Sequence, residues 1–131
     1  MVPANSLSPG TVTLTATYVQ TSDFAAATAQ AKVVVTETPS VVVTPASTSV
    51  LESATLSVKV TVTAPVGTPT GTVTLTSKGY TSAVTTLSAG AATIIVPANT
   101  LAVGSTTINA TYSGDTNDTT ATGAATVTVS N

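Results

Sequence analysis

The chain has 131 residues and no cysteine, no histidine and no tryptophan. Each absence removes a class of chemistry. Without cysteine there are no disulfides and no thiolate metal sites, and without histidine there is neither a Ser-His-Asp triad nor a histidine-based zinc centre. Charge is scarce as well: charged residues are 6% of the chain, against about 25% in ordinary soluble domains. The only cations are Lys32, Lys59 and Lys78, and the acids Asp23, Glu37, Glu52, Asp115 and Asp118 are spread singly. No basic patch exists to neutralise phosphates, so nucleic acid is not an expected partner. No catalytic cluster of carboxylates is expected either, and the chain reads as a non-enzyme needing no cofactor. No run of apolar residues is long enough to span a membrane, and Met1 is followed by neither a charged nor an apolar leader segment.

What the chain does have is β-branched residues. Threonine fills about a quarter of all positions, several times its usual share. Low charge and few aromatics are compatible with disorder, but disordered segments are poor in β-branched residues and this one is dominated by them. The arrangement is a strict alternation. Leu56, Val58, Val60 and Val62 are interleaved with Ser57, Lys59 and Thr61, which puts the apolar set on one face of a strand and the polar set on the other. The same period places Val73, Leu75, Ala92, Ile94, Val96, Ile108, Ala110, Tyr112, Val127 and Val129 inward, and Leu101 is expected in the same core. Proline, glycine and Asn-Asp turn signals break these runs at short intervals. Strands are expected near 10–18, 27–36, 40–44, 48–51, 54–63, 70–77, 81–87, 91–96, 104–112 and 122–130. The pair flanking Pro45 reads as two halves of one broken edge strand. No window carries the helical period.

The chain also repeats itself. With Val2 laid on Val96, VPAN, Leu7 with Leu101, Gly10 with Gly104, the ATY of 16–18 with that of 110–112, and Val33 and Val35 with Val127 and Val129 fall into register without a gap. Such self-similarity marks a tandem array. It divides the chain into residues 1–39, the last two strands of one repeat, and residues 40–131, a complete repeat.

In PTGTVTLT (69–76), ATYSGD (110–115) and the closing ATVTVS (125–130), the chain resembles the bacterial Ig-like repeat domains of large surface proteins. The resemblance implies an all-β, Ig-like antiparallel β-sandwich in an extracellular or cell-surface stalk, filament or adhesin, and it brings no catalytic residues. The expected function is a non-catalytic structural repeat whose partners are other copies of itself, in a homopolymer or a tandem array. The alternative is an adhesin module that binds a glycan or a host surface through its end loops.

Two groups of residues are candidate sites. Asp115, Asn117 and Asp118 project from one turn and offer oxygen ligands of the kind calcium takes. The plainer reading is a polar turn whose Asp and Asn side chains bond their own backbone, and no metal is expected. The second group is Val12, Leu14, Ala16, Tyr18, Val33 and Val35, the apolar face of the N-terminal hairpin, which is expected to mediate self-association because a two-stranded hairpin alone is at best marginally stable in water. Tyr18, Tyr80, Tyr112 and Phe24 are expected to point mostly inward. Lys59 is expected to point outward, away from any buried crosslinking position, and the threonine rows of strands such as Thr72, Thr74 and Thr76 to lie outward and leave an uncharged surface open to close packing with identical copies.

Overall fold

A computed structural model describes all of residues 1–131. The chain forms two compact units, Met1–Thr36 and Glu37–Asn131. The boundary falls slightly before the one suggested by the repeat, because Glu37 is stitched into the second unit: its N–H donates to the Asn117 carbonyl, and its own carbonyl accepts from the N–H of Thr119.

The first unit is an antiparallel hairpin of β1 (Gly10–Tyr18) and β2 (Ala27–Val35). The second unit is all β: β3 (Ser40–Pro45), β4 (Ser49–Leu51), β5 (Leu56–Thr63), β6 (Thr72–Ser77), β7 (Tyr80–Thr81), β8 (Thr85–Thr86), β9 (Ala91–Val96), β10 (Gly104–Tyr112) and β11 (Ala121–Ser130). One sheet has the order β3-β5-β9, and the other runs β4-β11-β10-β6-β7 with β8 also on β6. The segment around Pro45 is indeed interrupted, but its halves are not one edge. β3 pairs antiparallel with β5, whereas β4 pairs parallel with β11 in the opposite sheet. Proline cannot donate to a ladder, and at the end of β3 it lets the chain cross from one sheet to the other.

The core lies between the sheets and is made by the alternation. Val58, Val60, Val73, Leu75, Ile108, Ala110 and Tyr112 are fully buried, with Leu56, Val62, Ile94, Val96, Leu101, Val127 and Val129 nearly so. Val43 and Leu87 join them. Lys59 is exposed on the opposite face of β5. Thr72, Thr74 and Thr76, expected to lie outward, are half-covered, since β10 flanks their strand on one side and β7 and β8 on the other. The expected strand over 81–87 is reduced to β7 and β8, because the hydroxyl of Ser82 accepts the Leu75 N–H at 2.9 Å and interrupts the backbone ladder there.

Leu75→Ala is expected to cost about 2–5 kcal/mol through the lost packing and the cavity left behind, and Lys59→Ala to change stability by less than about 0.5 kcal/mol. Thermal melts of the two variants check the pair. Equal effects would contradict the assignment of faces on β6 and β5.

Candidate functional site

The acidic turn between β10 and β11 is built around Asp115. Its Oδ2 accepts the Thr70 N–H and the Thr70 hydroxyl, both at 2.8 Å. Its Oδ1 accepts the N–H groups of Asn117 and Asp118, both at 2.9 Å. The first pair ties the turn to the loop before β6, and the second closes the turn on itself, helped by the Asp115 N–H donating to the Asp118 carbonyl. A carboxylate has about four acceptor positions, and these four donors fill them. Stabilised in its charged form by these donors, Asp115 is held below the ordinary carboxylate value of 3.8.

Asp118 has the opposite environment. It is 4% exposed, and its Oδ1 is buried without a hydrogen-bond partner. Burial first, and then the negative charges of Asp115 and Glu37, push its carboxyl up. Beside it the Tyr112 hydroxyl is also buried without a partner, and burial, reinforced by Asp115 and Asp118, pushes it up to about 12. Glu37 Oε1 is engaged at 3.1 Å by the Val66 N–H. The sequence-expected trio therefore separates into different roles. Asp115 brackets two loops, Asp118 is a buried acid, and Asn117 contributes only its backbone. No group of three or more His, Cys, Asp or Glu side chains is arranged to hold a metal ion, and Asp115 has no acceptor position left for one.

The other candidate group lies together on one face of the β1–β2 hairpin. Val12 is opposite Val33, Leu14 opposite Ala31, Ala16 opposite Ala29, Tyr18 opposite Ala27 and Gly10 opposite Val35. β10–β11 has the same rows in the same register, from Gly104 opposite Val129 to Tyr112 opposite Ala121. The loops before the two hairpins match as well: Asn5 and Asn99 have φ of 60° and 61°, and Ser6 and Thr100 donate their hydroxyls to the carbonyls of Pro3 and Pro97. What differs is cover. Tyr18 is 44% exposed and Val33 37%, where Tyr112 and Val127 are 0% and 1%. Tyr18 and Phe24, expected to point mostly inward, are exposed, because the first unit is a two-stranded hairpin with no second sheet of its own to receive them.

The profile of the bacterial Ig-like domain (group 3) matches residues 41–130. The chain belongs to that family. Membership makes the Ig-like domain a structural or surface module of a kind that is generally non-enzymatic and often found in surface proteins, and its β-sandwich is the one described above. Comparison with curated proteins and with solved structures found no match. No helix is long and apolar enough to cross a membrane.

The sequence pattern gave no hint that Asp118 is buried, since GDTND reads as a solvated turn throughout. It also passed over Gly123, although an isolated glycine within a strand pattern signals close backbone approach. A Cβ at this position would run into the Val41 carbonyl oxygen of β3.

The two aspartates have opposite pH signatures. The raised Asp118 carboxyl opposes folding once ionised; that penalty begins to shrink as pH falls through its folded-state value and is gone below the ordinary 3.8. The lowered Asp115 carboxyl stabilises above about 3.8 and loses this contribution in acid. Asp118→Asn is therefore expected to raise the melting temperature at pH 7 and to lose that gain in acid, while Asp115→Ala lowers stability at pH 7 by about 1.5–3 kcal/mol. Melts across pH check both. Addition of EDTA is expected to leave the melting temperature unchanged.

Proposed function

We propose that this Ig-like domain is a non-catalytic structural repeat of an extracellular bacterial stalk, filament or fibre, and that it associates with other copies of the repeat through the apolar face of β1–β2. The observation that carries this reading is the poorly covered face itself, on which Tyr18 and Val33 are exposed and Val12, Leu14 and Val35 half-buried. Val12, Leu14, Ala16, Tyr18, Val33 and Val35 sit in the register that β10–β11 uses to bury its equivalents. Each large aliphatic side chain covered on association contributes about 1.5–3 kcal/mol, and the low charge of the chain offers little electrostatic resistance to its own kind. An adhesin module binding a glycan through its end loops is the less supported reading. Glycan sites commonly present an aromatic platform; Tyr18 and Phe24 of the first unit are exposed, but at the turn of the complete sandwich the corresponding tyrosine, Tyr112, is fully buried.

Light scattering on the whole chain tests the proposal. The unaltered chain is expected to associate, and Leu14→Asp or Val35→Asp to leave it monomeric with the melting transition of 37–131 unchanged. A stable unaltered monomer whose β1–β2 amides are protected would overturn it.

A further inference from the structure

A chain with two hairpins of one register faces a choice that a single domain does not. The front of the sandwich, Glu37–Val96, can be closed by β10–β11 or by the look-alike β1–β2, of its own chain or of another copy. Along the inward faces one position differs in polarity, Val12 standing for the buried Thr106, and the rest hardly discriminate. Leu14 stands for Ile108, Ala16 for Ala110, Tyr18 for Tyr112, and Val33 and Val35 for Val127 and Val129.

We infer that three positions outside this shared apolar set, Gly114, Asp115 and Gly123, select the hairpin that closes the front and exclude β1–β2 from it. Gly123 lies where β11 passes directly over the backbone of β3, and an added Cβ would overlap the Val41 carbonyl oxygen. Its counterpart in β2, opposite Ala16 as Gly123 is opposite Ala110, is Ala29. The obstacle is backbone, which cannot rotate aside as a side chain would, so β3 has to be displaced from its pairing with β5. Asp115 supplies the carboxylate that bridges to Thr70. Its counterpart is Thr21, whose N–H still bonds the Phe24 carbonyl as that of Asp115 bonds the Asp118 carbonyl, but whose hydroxyl is spent on Tyr18 at 3.3 Å. Gly114 acts within its own hairpin: its φ is +77° and a Cβ there would stand 2.8 Å from the Asp118 carbonyl oxygen, so glycine is what allows the turn that carries Asp115 to Thr70. Its counterpart is Gln20. The partner that fits this front is thus a closing hairpin with glycine, aspartate and glycine at these three places. The association proposed above then uses the exposed face of β1–β2 and not exchange of closing hairpins, which keeps each sandwich closed by its own strands. This inference rests on reading β1–β2 as a closing hairpin of the repeat.

The absence of cysteine makes the test clean. Thr74 of β6 is directly opposite Thr111 of β10, and Thr17 is the counterpart of Thr111 in β1. The full chain carrying Thr74→Cys and Thr111→Cys, refolded under oxidising conditions, reports normal closure. Thr74→Cys with Thr17→Cys reports closure by the wrong hairpin. The second pair is expected to crosslink only at background. Adding Gln20→Gly, Thr21→Asp, Ala29→Gly and Gly123→Ala should raise its yield, within or between chains, by about tenfold or more, since overpacking at one such site costs about 1–3 kcal/mol. Equal yields with and without these four changes, whether high or absent, would overturn the selection. Light scattering of the unaltered chain reports separately on the association reading.

Discussion

A β-sheet whose side chains alternate apolar and polar has one face that must be covered, and this requirement organises the whole chain. In Glu37–Asn131 the requirement is met internally. The three-stranded and six-stranded sheets lay their apolar faces together, and the residues between them, from Leu56 to Val129, are excluded from water. Because the period is two, a slip of one residue would turn each strand's whole set outward. Register is therefore as strongly determined as the composition of the core.

The same requirement explains why Met1–Thr36 differs from the second unit despite sharing its pattern. Hairpin register, the Asn5 and Asn99 turns and the inward rows are alike. The first unit has no second sheet of its own to lay over its hairpin, and Gln20, Thr21 and Ala29 stand where the second unit has Gly114, Asp115 and Gly123. Family membership accounts for the sandwich, and the poorly covered hairpin face is the feature on which the proposed association rests.

Much of this was legible in the residues. The alternation from Leu56 to Val62 and from Val127 to Val129 identifies core positions directly, because burial in a two-layer sheet follows parity along the strand. The self-match of VPAN and ATY locates two hairpins of one register. What escaped depends on contacts between segments distant in sequence. The crossing of β3 and β4 to opposite sheets is decided by pairing with β5 and β11. The burial of Asp118 accompanies the pairing of its turn with the backbone of Glu37, and the need for glycine at 123 comes from the backbone of Val41. Tyr18 and Phe24 were assigned inward by parity alone, and parity gives a direction without saying whether anything is there to receive the side chain.

Cover of the apolar face, and not the identity of the residues along it, makes one hairpin exposed and the other buried. Hydrogen exchange of backbone amides, read for β1–β2 and β10–β11 in the same sample at several protein concentrations, tests it most directly, because local opening is governed by the apolar contacts that hold a segment. The β10–β11 amides are expected to be strongly protected at every concentration, and the β1–β2 amides to exchange rapidly on dilution and gain protection as concentration rises. Equal protection of the two hairpins in the dilute chain would contradict it.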